Sequence, residues 1–144
     1  MKIIITVITL LTVSCSSVNN LSESPSVFDS KGAKKYKARI TYYSIGEDKW
    51  GDKVACPKTH RAKEGITVAA HPEFPFGTEV YIPKLKGVIG DGTFLVQDRG
   101  SAVTKKKAAQ GKAFVFDVFV RSKSLMRGHA YKRPMYMDVY ILQE

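Results

Sequence analysis

Three short segments carry the residue types that acid–base chemistry requires. One is Val96-Gln97-Asp98-Arg99-Gly100, and a second is Phe116-Asp117-Val118-Phe119. The third runs from Thr67-Val68-Ala69-Ala70-His71-Pro72 into Phe74-Pro75-Phe76-Gly77-Thr78-Glu79-Val80. Asp117 is the oddest of these residues, because its neighbours on both faces of an extended chain are apolar. Burying a lone carboxylate is costly, so such a group protonates or acquires a partner. A carboxyl that stays protonated near neutral pH can serve as a general acid. The residues leave a second reading equally open, a structural aspartate accepting backbone hydrogen bonds where strands cross. Asp98 ends an apolar run just before Gly100, which permits a tight turn or the close approach of a ligand. It reads either as a second carboxylate in the same cleft or as a turn-capping residue paired with Arg99. His71 can donate a hydrogen bond to a substrate or share a proton, and it also reads as an ordinary polar residue at a strand end. His60, His71 and His129 have no ligand-like spacing, and neither a metal nor another cofactor is expected.

The elements that must position these residues are short strands between turn signals. Residues 36–43 alternate loosely, 66–70 form a compact apolar run, and 78–82 alternate up to Pro83. Residues 93–97 follow the turn Gly90-Asp91-Gly92, and 114–120 are apolar except for Asp117. Residues 136–142 alternate cleanly, with Met137, Val139 and Ile141 on one face and Tyr136, Asp138 and Tyr140 on the other. One short helix fits at about 122–127, stopped by Gly128. Six short strands with little helix predict a small closed all-β barrel, since closure removes exposed edges. No internal repeat is visible.

The start of the chain reads differently. Lys2 precedes an apolar stretch over 3–13 and the polar run that follows Ser14-Cys15, which is the layout of a secretory signal peptide. The stretch is too short to span a bilayer stably. Leu10-Leu11-Thr12-Val13-Ser14-Cys15 resembles a bacterial lipobox, with Thr12 in a place such motifs usually give to Leu. Residues 1–14 are thus the expected lipoprotein signal peptide, with Cys15 the lipidated residue anchored to a membrane it does not cross. Residues 15–35, rich in Ser, Asn, Lys and Gly, form a flexible tether, and 36–144 form the barrel domain. With Cys15 lipidated, Cys56 has no partner within the chain and reads as a packed thiol.

Length and charge narrow the function. The 144 residues give room for one domain and one core. Of 23 basic residues only Lys2 lies in 1–14, so 22 against 13 acidic residues leave the mature chain at +9. Such a surface seeks polyanions. Export favours the anionic cell envelope, and no aromatic–basic pattern of an RNA-binding sheet supports nucleic acid as a partner.

The order of the three segments resembles the double-psi β-barrel of the rare lipoprotein A family. That family has an Ala-Ala-His segment leading to Pro-x-Gly-Thr-x-Val, then Asp-Arg-Gly, then an Ile-Asp-Leu-like strand. The layout is also similar to the three-aspartate domain of membrane-bound lytic transglycosylase A. There the segments read Ala-Val-Asp-Pro and Pro-x-Gly-Thr-x-Val, then Asp-Thr-Gly, then Asp-x-Tyr. The likeness covers about residues 36–142. Carried over, Asp98 and Asp117 fall on two of the acids, and His71 stands where one group has its first Asp and the other its His. The basic stretch 58–63 and the insertion from Lys105-Lys106-Lys107 to Lys112 depart from the pattern.

The resemblance implies a lytic transglycosylase acting on peptidoglycan glycan strands. Such an enzyme protonates the glycosidic oxygen between N-acetylmuramic acid and N-acetylglucosamine, then helps the muramyl 6-hydroxyl attack its own anomeric carbon. One carboxyl can act as acid and then base. On this reading Asp117 is that group and Asp98 its electrostatic partner. His71 positions the sugar or shares the proton, while Arg99 and Thr78 bind substrate. The expected setting is a lipid-anchored monomer in the bacterial envelope, at the outer membrane facing the periplasm. The rival class is a non-catalytic, expansin-like glycan-binding module. The anchor generates a first prediction. Cys15→Ala releases the protein into the soluble envelope fraction, and unchanged membrane fractionation of that variant would refute lipidation.

Overall fold

The computed structural model describes residues 32–46, 49, 51–122 and 136–142. The expected signal peptide, Cys15, most of the expected tether and His129 lie outside the described residues. Six strands form: β1 (Lys34–Tyr43), β2 (Thr67–Ala69), β3 (Glu79–Tyr81), β4 (Thr93–Asp98), β5 (Val115–Phe119) and β6 (Tyr136–Ile141). They close into a barrel in the order β1-β5-β2-β4-β3-β6. Each expected strand is present within about two residues of its expected ends. β1 starts earlier than expected, at Lys34, which pairs with Ile141. Lys34 and Lys35 resemble tether in composition, yet both stand exposed on a paired strand.

The pairing has a hidden symmetry. β1 runs parallel to β5 and β2 parallel to β4, while β1–β6, β2–β5, β3–β4 and β3–β6 are antiparallel. Exchanging β1, β2 and β3 for β4, β5 and β6 maps this set of pairings onto itself. The two halves of the chain therefore build equivalent, interlocked parts of one double-psi barrel. No repeat is legible in the residues, because the two halves share topology and not side chains.

Alternation explains the core. Ala38, Ile40 and Tyr42 of β1 point inward with Val68, Val80, Phe94, Val96, Phe116, Val118, Met137, Val139 and Ile141. The opposite residues of β1 are half-buried or exposed, the period-two pattern of a strand with one wet face. Where Gly65 passes Gly90, a Cβ on Gly90 would lie 3.2 Å from the Gly65 Cα, and both residues hold a positive φ, at +78° and +62°. The single described helix, α1 (Ser101–Thr104), follows β4 directly. The lysine-rich insertion follows it and contains the 3₁₀ turn Lys107–Ala109. Val103 and Ala109 pack on Ala69 and Val115, outside the barrel wall. The helix expected at about 122–127 lies, Ser122 apart, outside the described residues. Cys56 is a buried free thiol.

One core residue keeps an unanswered polar group. The Tyr42 hydroxyl is buried and has no hydrogen-bond partner among the described residues. Burial pushes this phenol up from 10.0 to about 12. Above pH 10 the unfolded chain releases a proton that the folded chain retains, so folding loses stability between pH 10 and about 12. In denaturant melts the wild type should lose about 2–3 kcal/mol across that window relative to Tyr42→Phe. At neutral pH Tyr42→Phe should be at least as stable as the wild type, because it loses no hydrogen bond and removes an unpaired buried hydroxyl. Parallel alkaline behaviour of the two proteins would refute this assignment.

Candidate functional site

The strand registers assemble a polar row. Thr41 pairs with Asp117 across β1 and β5, Asp117 with Ala69 across β5 and β2, and Ala69 with Asp98 across β2 and β4. Two interstrand spacings separate Asp117 from Asp98, so their Cα atoms lie about 10 Å apart. Asp98 joins the row through a register shift. Val68 pairs with Val96, but Ala69 pairs with Asp98, leaving Gln97 as an extra residue. Such a bulge re-aims the side chains that follow it. Without it, Asp98 would continue the inward series Phe94 and Val96.

Asp98 is only 9% exposed and its carboxylate is well supplied with donors. The Tyr43 hydroxyl donates to Oδ2 at 2.9 Å, and the Ala55 and Arg99 backbone N–H groups donate to Oδ1 at 2.9 and 2.8 Å. The bulged Gln97 adds a second clasp. Thr67 donates to its Oε1 at 2.7 Å, and its Nε2 donates to Thr59 at 3.3 Å. Together these bonds hold the segment from Ala55 to Thr59 against β4, with Cys56 N donating to Gln97 O at 2.9 Å.

Asp117 is half-buried, and Thr41 Oγ1 donates to its Oδ1 at 2.7 Å. Its apolar neighbours have two origins. Phe116 and Val118 belong to the barrel core, while Val115 lies under the α1 cap and Phe119 packs against Tyr43 with ring centroids 5.3 Å apart. The strand is thus covered on both sides, and Asp117 is its polar interruption on the outer side.

His71 lies two residues beyond Ala69, about 7 Å further along the chain direction. Its Nδ1 accepts the Glu73 N–H at 3.2 Å, so the neutral ring carries its proton on Nε2. The ring leans on Phe114 at 5.5 Å, and Lys106 Nζ sits 4.0 Å from the centre of the same Phe114 ring. Lys106 holds a left-handed φ of 50°, uncommon for a non-glycine residue. Lysines from the insertion therefore edge this end of the site.

Arg99 and Thr78 take other positions. The Arg99 side chain makes no salt bridge to Asp98. Its Nη1 donates to the Ala70 and Asp98 carbonyls at 3.2 and 3.1 Å, and its Nη2 to the Phe74 carbonyl at 2.7 Å. Burial draws the guanidinium pKa down, and nearby Asp98 opposes that shift. Arg99 thus braces the loop after β2 rather than reaching outward. Thr78 lines a cavity formed in part by that loop. Sequence reasoning missed Thr41, Tyr43 and Lys106. The loose alternation of 36–43 was the signal that could have placed Thr41 and Tyr43 on the face away from the core. Among the described residues no three His, Cys, Asp or Glu side chains group as metal ligands.

Compared with models of known protein families, with curated proteins and with solved structures, the chain matches none. The site geometry generates its own prediction. Asp98→Ala strands three donors and should cost about 3 kcal/mol or more in a urea melt, since hydrogen bonds to charged groups contribute about 1.5–3 kcal/mol each and do not add simply. Tyr43→Phe removes one donor and should cost about 1–2 kcal/mol. Equal stability of Asp98→Ala and wild type would refute the clasp.

Proposed function

We propose that the row centred on Asp117 cleaves peptidoglycan glycan strands by lytic transglycosylation, in an exported monomeric domain that Cys15 anchors to the outer membrane. One observation carries the reading. A single half-buried carboxyl, oriented by Thr41, interrupts an otherwise apolar strand on the outer wall of the barrel. The fold and the order of Asp98, Asp117 and His71 agree with the resemblance to the rare lipoprotein A and three-aspartate domains.

The chemistry needs one acid. Protonated Asp117 gives its proton to the glycosidic oxygen as the bond from the muramyl anomeric carbon to that oxygen breaks. N-acetylglucosamine leaves with a new hydroxyl. The muramyl 6-hydroxyl then bonds to the anomeric carbon and returns its proton to Asp117, closing the 1,6-anhydro ring. No water is consumed and the carboxyl is restored. The Thr41 hydroxyl stabilises the carboxylate between the two transfers. His71 offers its Nε2–H to a sugar oxygen. Asp98, with both oxygens engaged, acts as a positioning residue through Tyr43. That division suits one acid–base group better than the paired carboxylates of hydrolytic glycosidases. A glycan-binding module that never cleaves would use the same row.

Purified sacculi digested with the protein should release anhydromuramyl products by mass spectrometry. Asp117→Asn keeps the shape but not the titrating proton. It should lower product release by about 10²–10⁴-fold while sacculus pelleting changes less than about twofold. Wild-type protein that binds sacculi but releases no anhydro sugar would make the binding module the correct reading.

A further inference from the structure

Along the loop that Arg99 braces, a cavity of about 720 Å³ opens between the segment from Glu73 to Glu79 and the ends of β1 and β6. Its walls include Tyr36, Phe74, Phe76, Thr78, Glu73 and Glu79. That volume lies in the range of small-ligand sites. Phe76 is a large apolar residue left 38% exposed in these walls. It is held firmly. The Arg99 guanidinium lies 4.1 Å from the ring centre and is itself fixed by three backbone carbonyls. The backbone beneath Phe76 is a tight turn, with Thr78 N donating to Pro75 O at 3.2 Å and Gly77 at φ +90°. A positive φ at the third position is the conformation glycine supplies. Gly77 N also donates to Val96 O at 2.9 Å, which ties the turn to β4.

The charge of the cavity opposes that of the chain. Glu73 and Glu79 both line it in a protein with net charge +10, and neither forms an ion pair among the described residues. A cationic ligand would meet an obstacle at two of the three aromatic walls, which already carry cations. Arg99 stacks on Phe76, and Lys34 Nζ lies 5.1 Å from the centre of the Tyr36 ring. Carboxylates also accept hydrogen bonds from sugar hydroxyls, and a rigid aromatic ring matches the apolar face of a pyranose. The same two carboxylates repel a sugar that bears its own carboxylate.

We propose that this cavity is a subsite for a neutral N-acetylhexosamine, stacked on Phe76 and hydrogen-bonded by Glu73 and Glu79. It rests on the glycan reading for its ligand class, but it requires no bond cleavage and no part of Asp117. Arg99 is its positioning residue.

The test uses a neutral N-acetylglucosamine trimer and isothermal titration calorimetry with the full chain. Wild type binds the trimer, and Phe76→Ala binds it at least tenfold more weakly with an unchanged melting temperature. Asp117→Asn binds it as wild type does. The double variant Glu73→Gln, Glu79→Gln narrows the preference for the neutral trimer over an oligomer bearing muramyl carboxylates. Failure of wild type to bind, or equal binding by Phe76→Ala, overturns the subsite. Displacement of the trimer by an oligolysine peptide overturns it in favour of a cationic ligand. If the trimer binds as stated but sacculi yield no anhydro sugar, the subsite stands and transglycosylation falls. If sacculi yield anhydro sugar but the trimer does not bind, transglycosylation stands and the subsite falls.

Discussion

The carboxylate of Asp98 is the tie on which the site side of the barrel depends. It joins the end of β1 through Tyr43, the loop before β2 through Ala55, and the start of α1 through the Arg99 backbone. A carboxylate this deeply buried is tolerable only when charge-assisted hydrogen bonds replace its water. The supply of donors is in turn a consequence of the bulge at Gln97, which moves Asp98 out of the core series. The bulge, the carboxylate and the loop are therefore one structural unit. Removing any of them leaves the others with unanswered polar groups.

The symmetry of the barrel gives that unit a second meaning. The exchange that maps β1 onto β4 and β2 onto β5 carries the Thr41–Asp117 pair onto the Asp98–Ala69 pair. The Asp117–Ala69 pair, at the centre of the row, maps onto itself. Equivalent positions thus hold unlike residues. One half presents a carboxyl where the other has a methyl group. That methyl matters, since Tyr43 packs against the cluster containing Ala69 on its way to Asp98. A larger residue at position 69 would stand in the path of the tyrosine. The symmetric fold supplies the row, and asymmetric side chains make its two halves chemically unlike.

Much of this was legible in the residues, for physical reasons. Strand positions follow from period-two alternation and from Gly and Pro turns, so six strands could be placed to within about two residues. Asp117 stood out because a charge inside an apolar strand violates the pattern around it. Parallel pairing is not legible in this way, because it depends on connections that local alternation does not encode. The register shift that turns Asp98 outward is equally silent, since one extra residue looks like any other. Arg99 misled for a related reason. Beside Asp98 in sequence it suggested an ion pair or a ligand contact, yet its side chain reaches carbonyls 25 and 29 residues earlier. The helix-forming residues at 101–104 were obscured by the lysines after them, which read as an insertion rather than as a cap over Val115.

The adjacent pair Asp98 and Arg99 divides its work across the loop after β2. The Asp98 side chain faces the row and holds Tyr43 and Ala55. The Arg99 side chain takes other partners, the carbonyls of Ala70 and Phe74 and the Phe76 ring. Only a planar fork can meet several fixed acceptors and present a flat face to a ring at once, so lysine would not substitute here. Gly100, extended at φ −166°, then leads into α1 without competing for these contacts. The two sets of contacts are consequently linked by a single peptide unit. A shift of the carboxylate would disturb the Phe76 platform, and a shift of the guanidinium would disturb the row, because the Asp98 carbonyl itself accepts a hydrogen bond from Arg99.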